Sequence, residues 1–350
     1  MMDAIAKEIE QRKNYLFGTA DSNVLDTIYF GGGTPSLLNA NDFEVIFTTL
    51  SLNYKWNPDT EITLECNPDD VTEEKLSLWK KYGVNRLSIG VQSFIDNHLL
   101  TMNRSHNAAM AIHAVELANK CGIDNISIDL IYGLPDLSPA DWQENLKTAE
   151  QLPIKHISCY ALTIEERTAL SHFVKTKKIN IPTDEIVITQ FKELVDWAMN
   201  NNFDHYEISN FCQPGFHSRH NSNYWSGKNY IGIGPSAHSY NGNTRQWNIA
   251  NNNAYIDSVT NSKSYFEAET LTQENKYNEY VMIHLRTKAG VDILQLQQQF
   301  GNEYTSHFEK KIAAYVTQNQ VVVMQNNYVL TMEGKLFADA IAGDCFVEVK

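Results

Sequence analysis

"TIYFGGGTPSLL", Thr27 to Leu38, ends a short apolar run in three consecutive glycines, with a proline two residues on. Glycine lets a ligand approach the backbone and permits positive φ. No Gly-Lys-Ser/Thr comes after them, so this is not a P-loop. Taken alone, the glycines are equally well read as a tight turn before a helix. The segments downstream of Leu38 decide between the two readings.

Apolar runs alternate with amphipathic helical patterns. Strands are expected at Thr27–Phe30, Glu61–Cys66, Arg86–Gly90, Asn125–Leu130, His156–Leu162 and Asp204–Ile208. Helices are expected at Asp3–Leu16, Asn41–Leu52, Thr72–Tyr82, Ala108–Lys120, Pro139–Gln151 and Thr183–Asn200. Thr72 with Glu73 and Glu74, and Ser138 with Pro139, are helix-start signals; Gly83 and Gly122 are stop signals. Repeated strand–helix units imply a parallel α/β sheet, and the spacing favours a partial barrel. In such folds the chemistry sits at the C-terminal strand ends.

Three segments are expected: a barrel over 1–210, an irregular stretch over 211–265 rich in Asn, Gly, Ser and Tyr, and a helical part over 266–350. The last shows helices at Glu274–Lys288, Asp292–Gln299 and Tyr304–Gln318. Next comes a hairpin, "QVVVMQNNYVLT", with Asn326-Asn327 as its turn, and a last helix begins near Met332. Three helices and a two-stranded wing resemble a winged-helix module.

The 350 residues carry a formal net charge of −14. That balance, with no basic recognition helix, argues against a nucleic-acid partner. No apolar run reaches transmembrane length, and the charged N-terminus is neither signal nor transit peptide, so the expected location is the cytoplasm. The five cysteines are scattered and odd in number, with no Cys-x-x-Cys or Cys-x-x-x-Cys pair. They make no disulfide framework.

The strand ends collect polar residues. After the glycines comes Thr34; the next strand ends at Glu65, the third at Gln92, with Arg104 beyond; Asp129 lies in the fourth and Thr163 comes after the fifth. An acid in an apolar strand is costly unless it is paired. Glu65 and Asp129 therefore need partners, either Arg104 or Arg86 in an ion pair or the donors of a ligand. Together the set suits a ligand with an ammonium, a carboxylate and ribose hydroxyls.

"YFGGGTPSLL", "ECNPDDVT", "GVNRLSIGVQSF", "MNRSH" and "IDLIYGLP" resemble, in order and spacing, the radical S-adenosylmethionine family that contains oxygen-independent coproporphyrinogen III oxidase and a heme chaperone branch. The resemblance implies a partial (β/α)6 barrel, here without its first strand, and a C-terminal helical domain. It implies that Gly32, Gly33, Thr34, Glu65, Gln92, Arg104, Asp129 and Thr163 hold S-adenosylmethionine. Catalytic residues are not indicated.

A second block, "HNSNYW" (His220 to Trp225), resembles the signature of the heme chaperone branch, which the oxidase branch lacks. It implies heme contact by His220, Asn221, Tyr224 and Trp225. Imidazole is a common heme axial ligand, and Tyr224, Trp225 and Tyr230 offer flat apolar surface. The alternative is a set of loop side chains tying an irregular segment to the barrel. Cys212, His217 and His220 supply one ligand too few for a structural zinc site. "GIGPSA" (Gly232–Ala237) mimics a dinucleotide fingerprint, but no strand–helix–strand unit surrounds it.

The function this resemblance implies is a heme chaperone handing heme to respiratory acceptor proteins, with membrane contact only through those acceptors. The alternative is the oxidase, decarboxylating propionates in porphyrin biosynthesis. The family also implies a [4Fe–4S] cluster on a Cys-x-x-x-Cys-x-x-Cys loop upstream of the glycines. These 350 residues contain no such motif, so no metal ligand is assigned. Met1 falls where the family's first helix would start; the expectation is a chain that starts late, the alternative a natural cluster-free relative.

Overall fold

The computed structural model describes residues 1–16, 24–164, 169–176 and 178–349. The chain divides into two compact units: Ile28–Leu37 with Glu61–Ser218, and Met1–Thr27 with Leu38–Thr60 and Arg219–Lys350.

A seven-stranded sheet is built from β1 (Val24–Phe30), β2 (Lys55–Cys66), β3 (Arg86–Gln92), β4 (Asn125–Tyr132), β5 (His156–Ala161), β6 (Asp204–Glu207) and β7 (Asn210–Cys212), in the order β1-β2-β3-β4-β5-β7-β6. Pairing is parallel from β2 through β5. All six expected strands are present. The seventh, β7, has no clear signal in the sequence: it runs antiparallel to both β5 and β6, and so separates them. A two-residue turn at Ile208-Ser209 makes this possible, and the Glu207 carboxylate accepts from Ser209 N at 3.2 Å and from the Asn210 side chain.

Successive strand residues face opposite sides, and here the sides differ in kind. One carries Leu64, Leu87, Ile89, Ile126, Ile128, Leu130 and Ile157, all fully buried. The helices Ala108–Lys120 and Asp184–Asn200 pack against β3 and β4. The other side carries Thr63, Glu65, Arg86, Ser88, Asn125, Ser127, Asp129, His156 and Ser158, set in register across four strands. A parallel sheet covered on both faces would be apolar on both. This one keeps a polar face, and the polar face is where a ligand can be met.

Helix ends obey the local signals. Thr72 Oγ1 accepts from Lys75 N, and Ser138 Oγ accepts from Asp141 N ahead of Pro139. The first helix stops at Gln11 rather than Leu16. Arg12 is the residue that closes it (φ −103°, ψ 11°), and its guanidinium turns inward to Glu8 (3.3 Å), Gly232 O (3.2 Å) and Gln246 Oε1 (2.8 Å).

The second unit holds the helices Met2–Gln11 and Ala40–Asn53, packed together. The stretch expected to be irregular is partly ordered: it contains the helices Arg219–Trp225 and Asn252–Thr260, and the strands β8 (His238–Tyr240) and β9 (Thr244–Asn248). With β10 (Phe266–Thr270) these strands form an antiparallel sheet. Ala4, Tyr255, Val259 and Tyr265 form a small core there.

Beyond it come the helices Gln273–Leu285, Ile293–Phe300 and Asn302–Thr317, and a three-stranded wing of β11 (Val291–Asp292), β12 (Val321–Met324) and β13 (Asn327–Leu330), ordered β11-β13-β12. The hairpin turn is Gln325-Asn326, one residue earlier than expected. Met324 pairs with Asn327, and Gln325 takes the positive φ of 57°. The final helices are Met332–Lys335 and Ala338–Asp344.

Candidate functional site

The three glycines differ in their reasons. A Cβ on Gly31 would lie 2.6 Å from the Tyr29 ring and 2.8 Å from Glu65 Oε1. Gly32 has φ +71°, the left-handed region. Gly33 has nothing within 4 Å of a would-be Cβ and is exposed. Thus the first accommodates Glu65, the second makes the turn, and the third leaves open backbone beside exposed Thr34.

Glu65 is held at both oxygens. Tyr29 Oη donates to Oε1 at 2.7 Å, and Gly32 N donates to Oε2 at 3.3 Å. Burial first, and then the neighbouring Glu65 charge, push the Tyr29 phenol well above its usual range, so it stays protonated and donating. Asp129 accepts from Ser88 Oγ at 3.3 Å. Burial pushes its carboxyl up to about 6; Ser158 and Arg86 pull the other way, and Glu65 adds to the rise.

A cavity of about 360 Å³ opens over this face, lined by Gln92, Asp129, Ile131, Tyr160, Ala161, Leu162 and Thr163. Gln92 ends β3 at a bulge and has φ +66°. A non-glycine residue in that region is strained and is a recurrent feature of functional sites. The bulge swings its amide back over Gly90, where a Cβ would stand 2.9 Å from Nε2.

The structure therefore joins Gln92, Asp129 and Thr163 in one cavity, and Glu65 with Gly32 at its neighbouring strand end. Arg104 lies in the loop before Asn107, its N bonded to Leu99 O, and pairs with neither acid among the described residues. Sequence reading missed Tyr29, Ser88, Ser158 and Tyr160. The available signal was the period-two polar spacing in "RLSIGVQ" and "NISIDLIY".

His220, Asn221, Tyr224 and Trp225 lie on a helix, not a loop. His220 and Tyr224 stand one turn apart with ring centroids at 5.2 Å, and Tyr224 continues to Tyr230 at 4.4 Å. Thr27 Oγ1 is 3.0 Å from His220 Nδ1. Asn223 and Lys228 both reach Asp26 at 3.0 Å, and the Asn223 hydrogen bond foremost lowers that carboxyl. Trp225 Nε1 is shielded without a hydrogen-bond partner among the described residues. His217 instead pairs with Asp204 at 3.1 Å, and His205 stacks on Phe211 at 4.1 Å.

"GIGPSA" has a structural role. Gly234 N donates to the buried Glu8 Oε2 at 2.8 Å, which also takes Tyr255 Oη at 2.5 Å; Asn248 Nδ2 holds Oε1 at 2.8 Å. A Cβ at Gly232 would collide with His238 O at 2.2 Å.

The residues present do not fit an iron–sulfur cluster. Such clusters take cysteine thiolates, yet Cys66, Cys159, Cys212 and Cys345 are each buried and Cys121 is half-buried. Burial foremost raises the thiols of Cys66, Cys159 and Cys345. Among the described residues no three His, Cys, Asp or Glu side chains group to hold a metal. No helix among them is long and apolar enough to cross a membrane.

The sequence profile of the Radical SAM superfamily matches residues 6–149, and that of the HemN C-terminal domain matches residues 271–337. A Bacillus subtilis protein named heme chaperone HemW is 30% identical over 344 residues, spanning 98% of this chain and 91% of its own. Its namesake from Lactococcus lactis is 31% identical over 323 residues, 92% of this chain and 84% of its own. The solved structure of Escherichia coli coproporphyrinogen III oxidase (HemN), a radical SAM enzyme, superposes with a TM-score of 0.83 at 22% identity, over 99% of this chain and 82% of that one. The fold is thus that of HemN, and the chain belongs to the HemW family within the radical SAM superfamily.

Proposed function

We propose that the protein is a cytoplasmic heme chaperone that binds heme at the helix Arg219–Trp225 and passes it to respiratory acceptor proteins. The supporting observation is the aromatic surface beside one imidazole. His220, Tyr224 and Tyr230 succeed one another at ring separations of 5.2 and 4.4 Å, and Tyr224 is 40% exposed. In this reading His220 supplies the imidazole, oriented by Thr27. Tyr224 and Trp225 lie against the porphyrin plane, and Asn221 donates to its edge. The relatives' name carries the same chemistry.

Alongside it, the polar face of the sheet is read as the S-adenosylmethionine site. When bound, that molecule supplies a sulfonium nucleoside bearing an amino acid. Glu65 and Asp129 provide acceptors for ammonium and ribose hydroxyls. Gly33 offers open main chain, and Gln92, Thr34 and Thr163 offer polar groups around the adenosine. Arg104 is assigned to the carboxylate. Tyr29 and Ser88 hold the two acids in place beforehand. The 360 Å³ cavity lies within the range of small-molecule sites.

Heme titrated into the protein is expected to give a shifted Soret band, weakened in His220→Ala. An unchanged spectrum at saturating heme removes the chaperone reading. Transfer is tested by mixing the heme-loaded protein with an apo-cytochrome and recording the acceptor's own spectrum.

A further inference from the structure

Arg86 stands on the polar face of the sheet and is 2% exposed. Its cross-strand neighbours are Thr63 on β2 and Asn125 on β4. Arg86 Nε, Thr63 Oγ1 and Asn125 Oδ1 are all buried without hydrogen-bond partners, and no acid lies within ion-pair distance of the guanidinium among the described residues. A buried cation left without compensation is strongly unfavourable. Its compensation must act through space, from acids on the same face.

Glu65 stands one row nearer the strand ends and Asp129 two rows nearer, while buried Glu61 lies on the same face of β2, two residues before Thr63. Glu65 lies two residues beyond Thr63, and Asp129 is tied to Ser88, two residues beyond Arg86. Two neighbouring carboxylates repel, and one of them tends to keep its proton. A cation beneath both opposes that repulsion.

We propose that Arg86 is a positioning residue of the cofactor site: its buried guanidinium is the fixed counter-charge that favours the ionised Asp129 carboxylate beside the cavity, against the neighbouring charge of Glu65. The inference rests on reading this face as the S-adenosylmethionine site. The other titratable groups near Asp129, on both faces of the sheet, are neutral. Tyr29 on β1, Cys66 on β2, and Cys159 and Tyr160 on β5 are all raised by burial. His156 is fully buried, with Ser127 on Nδ1 at 2.7 Å and Tyr206 on Nε2 at 2.8 Å, and burial holds it neutral. Arg86 is the cation whose charge reaches Asp129, and it reaches His156 and Tyr206 as well.

The experiment tracks the Asp129 carboxyl by carbon-13 NMR in the ligand-free protein, assigned with Asp129→Asn, in wild type, Arg86→Gln, Arg86→Met and Arg86→Lys. Removing the charge should raise the Asp129 midpoint by about one unit, the size expected for losing a nearby opposite charge; Arg86→Lys should leave it near the wild-type value. Calorimetric titration with S-adenosylmethionine should then show affinity falling about tenfold near pH 7 in the two neutral variants and recovering at higher pH. An Asp129 midpoint unchanged in Arg86→Gln and Arg86→Met overturns the proposal, as does a pH-independent loss of affinity. Failure of wild type to bind S-adenosylmethionine would sink the cofactor reading instead, while the ligand-free titration still decides the role of Arg86.

Discussion

The Tyr29 phenol donates to Glu65 Oε1 across 2.7 Å, so that a residue just ahead of the triple glycine binds the acid that ends the neighbouring strand. The contact orients a carboxylate before any ligand arrives. Preorganisation of this kind lowers the cost of binding. Tyr29→Phe should therefore weaken S-adenosylmethionine by about tenfold, since a hydrogen bond to a charged acceptor contributes about 1.5 kcal/mol. Calorimetric titration measures this; equal or tighter binding would show that the contact does not prepare the site.

Substitution at the glycines separates their roles. Gly31→Ala forces a methyl against Tyr29 and Glu65, a strain of about 1–3 kcal/mol, and should lower the melting temperature. Gly33→Ala meets nothing within 4 Å and should leave the melting temperature near wild type while weakening S-adenosylmethionine, whose path to the backbone it would crowd. Equal melting temperatures for the two variants would refute the distinction.

Asp129 gives the fold a pH signature. Its carboxyl sits at about 6 in the fold against an ordinary value of 3.8. The folded state thus binds its proton more tightly than the unfolded state does. Stability from this group is fully present below about 4 and lost as pH rises through about 6. Asp129→Asn should be about as stable as wild type at pH 4 and more stable above pH 6, by up to about 3 kcal/mol. Denaturation curves across pH 4–8 show the crossover; a constant difference would contradict it.

Glu8 is the centre of a buried lock. It accepts from Arg12, Gly234 N, Asn248 and Tyr255. Glu8→Ala strands a buried guanidinium, a loss of about 3–5 kcal/mol. Urea denaturation should show the transition moved far to lower concentration. A shift no larger than that of an exposed Glu44→Ala control would mean that the lock does not stabilise the fold.

Much of the fold was readable from local order. Thr72 and Ser138 open helices where their spacing says they should, and all six barrel strands stand where apolar runs predicted them. Glu65 and Asp129 stood out because acids inside apolar strands need partners. Less visible was what surrounds them. Tyr29, Ser88 and Ser158 are common residues, and only register brings them to the two acids. The helix Arg219–Trp225 has no buried residue and no apolar stripe to announce it. His220 and Asn223 are joined to Thr27 and Asp26, nearly two hundred positions earlier in the chain.

By itself the sequence determined the strand–helix alternation, the polar strand ends, the family and the absence of a cysteine motif within these residues, because each is written in neighbouring positions or short spacings. Only the tertiary structure decided that β7 slips between β5 and β6, that "GIGPSA" serves Glu8 rather than a nucleotide, and that Arg86 is buried on the polar face below Asp129 with no ion-pair partner among the described residues. Those outcomes depend on which distant segments meet and in what register. Periodicity assigns a side chain to a face, whereas its neighbours across the sheet are chosen by the packing of the whole unit.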